Sequence, residues 1–550
     1  MEESLNFVEE IVEGDIRNPV YSEGVATRFP PEPNGYLHLG HAKSICLNFG
    51  LASKYNGKVN LRFDDTNPER ENSSYIEAIK EDIRWLGYEW HNEYYASDYF
   101  ETLYGFAVEL IKRGLAYVDD STSEEIAEQK GTPQVPGTTN QYRERSVDDN
   151  LRLLEAMKLG RFGDGEKVLR AKIDMAASNM HMRDPIMYRV KHTRHHRTGS
   201  TWCIYPMYDF AHGQSDAIEH ITHSTCTLEF VAHRPLYNWF IQELGLFPSK
   251  QIEFARLNLS YTIMSKRKLQ QLVDNGLVDG WDDPRLPTIA GLRRRGYTPN
   301  AIREFCDRIG VAKRDAITDF GLLEFCVRED LNQSAQRRIA VLKPLKVTIT
   351  NYDEEKTEYI NMENLPGDET QGTRKLPFGK ELWIEQDDFM EHPAKNYFRL
   401  TLGGAVRLKG AYIISCEHIV KDEHGNIIEL QCRYFPESKS GDDQSNIKVK
   451  STIHWLSIPF AVPVEVRLYD KLFSVEDPGQ TGTDFLNHFN KDSIQVMQNA
   501  YVEADLAERD NAGIHFQFVR LGYFIRDTRS NVDHLIFNRT VDLKERWKKA

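Results

Sequence analysis

The stretch "RFPPEPNGYLHLGHAKS", Arg28 to Ser44, decides how the chain is read. Pro30, Pro31 and Pro33 crowd together, Asn34-Gly35 follows, and His38 and His41 then flank Leu39-Gly40. Ala26 to Phe29 reads as a short buried strand ended by the prolines. From Ala42, the apolar residues Ile45, Phe49 and Ala52 recur at helical spacing. In an open parallel sheet, ligands sit where the carboxyl end of a strand leads through a loop into a helix. Asn34-Gly35 permits a sharp turn, and Gly40 lets another group approach the backbone closely. The helix start presents free N–H groups and the positive end of its dipole to an anion. His38 and His41 add two donors at the same place. An H-x-G-H tetrapeptide alone is common by chance, and the strand, Pro-rich turn and helix around it give it meaning.

Working outward, "VNLRFDD" (Val59–Asp65) alternates like a strand. Ser74 and Glu77 form a capping-box pattern, and Ile76, Ile79, Ile83 and Leu86 mark one face of a helix that stops at Gly87. Strand, helix, strand, helix implies a parallel α/β sheet beginning near residue 24. The polar segment Glu128–Ser146 reads as an exposed loop inside an insertion. Apolar α/β character returns near "TWCIYPMYDFAHG", and Leu269 to Asp330 reads as helical. After Lys343 come short alternating strands, "LKVTITNY", "KELWI", "STIHWLSI" and "VEVRLYDKLFSV", which predict β-barrels or sandwiches.

Composition bounds the rest. A chain of 550 residues is too long for one core, so about three to five structural units are expected. Hydrophobic residues at 40% and charged residues at 28% are ordinary for a globular protein. No apolar run approaches a membrane span, and the acidic start "MEESLNFVEEIVEGD" is not a secretory or organelle signal. The seven cysteines are scattered without a C-x-x-C pair. A disulfide framework and a structural zinc are therefore not expected, and a reducing cytoplasm fits. A net charge of −14 argues weakly against nucleic acid, but binding depends on local basic surface. "YRVKHTRHHR" (Tyr188–Arg197) and Arg293-Arg294-Arg295 are dense in cations, and each alone reads as a solvated face.

A second stretch supports the first. "YTIMSKRKLQQLV" (Tyr261–Val273) places Met264-Ser265-Lys266 just before a helical run. Two histidines at one end and a mobile lysine at the other make a phosphate clamp. Attack on the α-phosphate of ATP builds negative charge there and on departing pyrophosphate, and positioned donors stabilise it.

These residues resemble a known family. His38-Leu39-Gly40-His41 matches the HIGH motif of class I aminoacyl-tRNA synthetases, and Met264-Ser265-Lys266 matches their KMSKS motif. "LRFDDTNPE", "DPIMYRVKH", "WCIYPMYDFAH", "ITHSTCTLEF" and "GWDDPRLPTIAGLRRRG" are similar to the glutaminyl and glutamyl subgroup of bacterial type, without a long N-terminal extension. The likeness runs from about Gly24 to Phe537–Thr540. It implies a multi-domain α/β plus all-β fold: a Rossmann-type catalytic domain (1–96 and 207–267), an inserted acceptor-stem-binding domain (97–206), a helical subdomain (268–335) and two anticodon-binding β-barrels (336–550). It also implies a cytoplasmic monomer that uses ATP with Mg²⁺ and tRNA.

The resemblance further implies site roles. His38, His41 and Lys266 are the catalytic expectations. ATP contacts are expected from Pro31, Glu32, Pro33, Asn34, His38, Gly40, His41, Ala42, Lys43, Ser44, Thr227, Arg256, Leu257, Met264, Ser265 and Lys266. The amino-acid pocket is expected from Arg28, Asp64, Tyr208, His212, Cys226 and Gln251. Asp64 suits a substrate ammonium. Related glutamate enzymes carry an arginine at the Cys226 position, so a neutral thiol there favours glutamine over glutamate. Arg337, Arg399, Arg407, Gln517 and Arg520 match anticodon-reading positions, where Arg and Gln suit splayed bases. Three positions depart from the family pattern: Pro133 for a usual leucine, Ala232 for an aspartate that reads an acceptor-stem base pair, and Phe398 for a lysine. The rival readings are a glutamate or dual-specificity enzyme, a catalytically inactive tRNA-binding paralogue, and a small-molecule nucleotidylyltransferase. Cys226 counts against the first, the intact motifs against the second, and the insertion and β-rich tail against the third.

Overall fold

The computed structural model describes residues 5–69, 73–480, 482–508, 511 and 513–544. They fall into two compact units, Met1–Asn258 with Cys306–Thr318, and Leu259–Phe305 with Asp319–Ala550.

The first unit is built on parallel strands. β1 (Ala26–Phe29), β2 (Lys58–Phe63) and β3 (Asn92–Tyr95) lie side by side in that order. Arg28 is level with Asn60, and Asn60 with Asn92. The helices Leu39–Lys54 and Ser73–Trp85 are the crossovers. The second begins one residue before the Ser74 expected to cap it. The alternation in "VNLRFDD" does not mark a wet face. Asn60 and Arg62 are buried as fully as Val59, Leu61 and Phe63, because a parallel sheet is covered on both sides.

Next comes an antiparallel meander, β4 (Ala116–Asp119), β5 (Val168–Ala171), β6 (Ile186–Val190) and β7 (Ile204–Pro206). The expected loop Glu128–Ser146 is more ordered than its composition implies. It includes the end of the helix Ser123–Lys130, a tight Thr132–Val135 pairing and a 3-10 turn, Gln141–Glu144. Arg183 holds it by donating to the carbonyls of Lys130, Thr132 and Val135. In the "HTRHHR" stretch His192, Arg194 and Arg197 are exposed, as a solvated face requires, but His195 is not. His195 is buried, with Nε2 on the Asp65 carbonyl at 2.7 Å.

β8 (His223–Thr227) and β9 (Lys250–Phe254) form a second parallel pair. Thr222 joins it to β1. The Thr222 N–H donates to the Ala26 carbonyl (3.0 Å), and the Ala26 N–H donates to the Thr222 hydroxyl (2.8 Å). The carboxyl ends of β1, β2 and β8 therefore share one edge.

The second unit carries the helices Lys266–Asp274, Ile289–Arg295 and Phe320–Ser334. Arg294 and Arg295, expected in solvent, are buried. Arg294 pairs with Asp527 at 3.1 Å, and Arg295 donates to the Thr540 carbonyl at 3.2 Å. Two seven-stranded sheets follow. In one, the edge strands are Gln336–Arg338 and Ala340–Val341. In the other they are Thr452–Ile453 and Leu456–Ser457. In each case the two edges are neighbouring pieces of one chain segment, so the sheet curls nearly into a barrel and leaves little open edge. This is why "STIHWLSI" is not the single strand its pattern implies: it crosses from one edge to the other. Trp455, between those edges, is fully buried. Its ring meets Phe378 edge-on at 5.0 Å, and its indole N–H donates to the Lys409 carbonyl at 3.0 Å.

Replacing Trp455 by Ala is expected to destabilise the protein by about 3–5 kcal/mol. Urea unfolding measures it, and a midpoint unchanged from the parent would refute the assignment of Trp455 as the barrel's central plug.

Candidate active site

The two motif histidines hold each other. His38 is the N-cap of the helix Leu39–Lys54, and its Nδ1 accepts from the Gly40 N–H at 3.1 Å. The His41 Nδ1 accepts from the His38 N–H at 3.1 Å. This is a capping box built from imidazoles. Since Nδ1 is the acceptor on both rings, the proton of each neutral ring sits on Nε2. The ring centroids are 3.9 Å apart. Burial, and then the neighbouring His41, hold His38 well below the usual histidine range, so it is a neutral donor.

Around them lie Pro31, Glu32, Pro33 and Asn34 on the loop after β1, with Gly40, Ala42 and Ser44 at the helix start. The Asn34 amide donates to the Glu32 carboxylate, and the Asp64 N–H donates to the Pro31 carbonyl at 3.0 Å. Thr227 ends β8, and its hydroxyl donates to Glu229 at 2.8 Å. Arg256 is exposed and Leu257 buried just after β9. Lys43 differs from a free phosphate ligand. It is buried, its ammonium donates to the Ala255 carbonyl at 2.9 Å, and burial lowers its pKa. Met264, Ser265 and Lys266 belong to the second unit, where Ser265 caps the helix Lys266–Asp274 without a side-chain bond.

The expected amino-acid residues converge on a buried ionic core. Arg28 donates through Nε to Asp216 (2.9 Å) and through Nη1 to the Thr225 carbonyl (2.8 Å). Its Nη2 reaches His212 Nε2 at 3.0 Å and Cys226 Sγ at 3.6 Å. Arg62 pairs with the same Asp216 at 2.7 Å and with Glu219 at 3.0 Å. Ser224 (2.6 Å) and Tyr237 (3.0 Å) also donate to Asp216. Gly213 makes room for this, since a Cβ there would come within 3.0 Å of the Tyr237 ring. Burial works against the Asp216 carboxylate, but Arg28, His212 and Arg62 outweigh it and hold the group far below the usual range. Burial drives His212 down to about 3, so it is neutral and accepts from Arg28. Burial raises the Cys226 thiol, which stays protonated.

Tyr208 stacks on His212 at 4.8 Å and packs on Phe230 at 5.3 Å. Burial keeps its hydroxyl protonated. Gln251 donates to the Phe230 carbonyl at 3.2 Å and to Glu253 at 2.9 Å, and so steadies that wall. Asp64 lies just past β2 and accepts from Thr66 at 3.0 Å. Burial, then Glu32, raises its pKa to about 7.

In the second unit, four of the five expected tRNA residues form two pairs. Arg337 and Gln517 are register partners on adjacent strands. Arg337 donates to Asn332 (3.2 Å), and Gln517 donates to the Tyr523 hydroxyl (3.0 Å), which in turn donates to Asn332 (3.3 Å). Arg399 and Arg520 both pair with Asp388, at 3.3 and 2.6 Å. Arg407 is separate, held by the Ser438 carbonyl (2.7 Å) and by Asp443. Phe398 is an exposed ring with the Lys450 ammonium 5.1 Å from its centroid.

Comparison with known proteins places the chain in a family. The catalytic domain of the class I tRNA synthetases (E and Q) matches residues 24–333. The chain belongs to that family. Two anticodon-binding domains of the same synthetases match residues 335–435 and 452–527. Over 99% of the synthetase, sequence identity is 55% to a glutamine–tRNA ligase of Rhodopirellula baltica, covering 91% of that protein. It is 55% to one of Clostridium kluyveri (99% of this chain, 98% of that one) and 54% to one of Bradyrhizobium diazoefficiens (99% and 97%). Among the described residues no helix is long and apolar enough to cross a membrane.

The motif reading missed Asp216, Arg62 and Glu219 in the synthetase, as well as Asp388. Each acts through a partner far away in sequence. The one available signal was Arg62, a charge in the middle of an apolar strand. Replacing Asp216 by Asn is expected to cost about 3 kcal/mol or more, because it leaves buried arginine charge uncompensated. Urea unfolding of the variant tests this, and a loss below ~1 kcal/mol would contradict a central role.

Proposed function

We propose that the chain is a glutamine–tRNA ligase. It activates L-glutamine with ATP, releasing pyrophosphate, and transfers the glutaminyl group to the terminal adenosine of tRNA(Gln). A glutamine carboxylate oxygen attacks the α-phosphorus as the bond to pyrophosphate breaks. The 2′-hydroxyl of the tRNA then attacks the activated carbonyl, and AMP leaves. Mg²⁺ enters with the nucleotide substrate. The protein works in the cytoplasm as a monomer.

The paired His38 and His41 suit the first step. Their Nε2–H groups donate to phosphate oxygens, and Lys266 supplies the family's cation. Asp64 takes the substrate ammonium. Tyr208 faces the side-chain amide. Arg337, Gln517, Arg399, Arg520 and Arg407 read the anticodon, and 97–206 binds the acceptor stem.

One observation supports glutamine over glutamate: the charge balance around Cys226. Arg28 and Arg62 are matched by Asp216 and Glu219, and Cys226 and His212 are neutral. Among the described residues of this core no cation is left over for a substrate carboxylate, whereas an amide needs only hydrogen bonds.

The test is aminoacylation of tRNA(Gln) with labelled glutamine and glutamate in parallel. ATP-dependent charging with glutamine alone is expected. Comparable charging with glutamate would favour the dual-specificity reading, and none with either would favour an inactive paralogue. The Asp64 assignment adds a pH signature. A carboxyl that titrates at about 7 is mostly ionised only above that pH. Since kcat/KM reports the free enzyme, its value for glutamine should rise with pH through about 7. In Asp64→Asn that rise should vanish and the value should stay low. A rise that persists in the variant would rule out Asp64.

A further inference from the structure

Among the described residues of the first unit, two groups of histidine and carboxylate bring three ligand atoms within 4.8 Å of one another. One is Asp65, His195 and His196. The other is His181, Asp209 and His233. Their hydrogen bonding separates them.

The first group is a structural pin. His195 Nε2 is on the Asp65 carbonyl, and its Nδ1 accepts from the Arg197 and Thr198 N–H groups. The Asp65 carboxylate accepts from the Ser97 N–H at 2.7 Å and its hydroxyl at 2.6 Å. The lone pairs a metal would need are already engaged.

The second group is different. His233 Nδ1 lies 2.6 Å from the Asp209 carboxylate. His181 lies against His233 with ring centroids 3.9 Å apart. Neither the His181 ring nor His233 Nε2 has a hydrogen bond to another described residue. All three side chains are half-buried, so solvent reaches them. The cluster is also held in place. Asn179 accepts from the His181 N–H (3.0 Å) and donates to the carbonyl of Ala232, next to His233 (2.7 Å). Asp209 is fixed in the first turn of the helix Tyr208–Ile218.

We propose that His181, Asp209 and His233 bind a divalent transition-metal ion, Zn²⁺ foremost, with solvent in the fourth position. Two imidazoles and one carboxylate are a borderline donor set that suits Zn²⁺ and not Mg²⁺ or Ca²⁺. Three protein ligands with an open position differ from the closed four-ligand structural sites that the cysteine spacing argued against. The ion would replace the His233–Asp209 hydrogen bond and tie the turn Met180–Met182 to the starts of the helices Tyr208–Ile218 and Arg234–Leu244.

The test uses the full chain, stripped of metal with a chelator and titrated with Zn²⁺ by calorimetry. One ion per chain is expected. His181→Gln and His233→Gln should each weaken it more than about tenfold, as should Asp209→Asn. His192→Gln alters another surface histidine beside an aspartate and should leave binding unchanged. Melting curves without metal confirm that each variant is folded. Absence of a stoichiometric ion, or binding equally strong in His181→Gln and His233→Gln, would overturn the proposal.

Discussion

The Asp216 carboxylate is the constraint on which the first unit depends. It is fully buried and accepts from Arg28, Arg62, Ser224 and Tyr237. A buried charge is tolerated only when it is paired and its lone pairs are filled. Here the partners come from β1, β2, β8 and the helix Arg234–Leu244, while Asp216 itself is on the helix Tyr208–Ile218. Any shift of one element would leave a buried arginine or carboxylate unpaired. The network thereby fixes the geometry around Tyr208, His212 and Cys226. It also sets the electrostatics, because matched charges leave a neutral setting around Cys226 and His212.

A second constraint acts at the start of the helix Leu39–Lys54. Helix starts leave backbone N–H groups unsatisfied. In most proteins a serine or aspartate oxygen accepts them, but here imidazole nitrogens do. The cap thus has a chemical consequence beyond helix stability, since it fixes the tautomer of both histidines and aims protonated nitrogens away from the backbone. The same residues end the loop, start the helix and supply the donors.

The second unit follows a different logic. Each sheet curls nearly into a barrel because its two edge strands are adjacent pieces of chain. Pairing of the edge strand Gln336–Arg338 with its neighbour sets Arg337 opposite Gln517. Asp388 gathers Arg399 and Arg520, although the two arginines are far apart in the chain. A carboxylate between two arginines limits where their remaining donors can point.

Local chemistry was legible in the sequence. The Pro-rich turn, the H-x-G-H helix start, the α/β beginning and the β-rich end all depend on short-range backbone preferences and periodicity. Arg28, Tyr208, His212 and Cys226 could be named from motifs, but their arrangement could not. Burial was misread where polar residues alternate or cluster: Asn60 and Arg62 on β2, His195 in the basic stretch, and Arg294 and Arg295 at the end of the helix Ile289–Arg295. In every case a carboxylate, a carbonyl or a main-chain group distant in sequence compensates the polar side chain. The sequence by itself determined which residue types stand at each turn and helix start, because those choices are governed by neighbours along the chain. Only the tertiary structure decided which charges are buried and matched, because pairing in a low-dielectric interior depends on partners that the fold alone brings together.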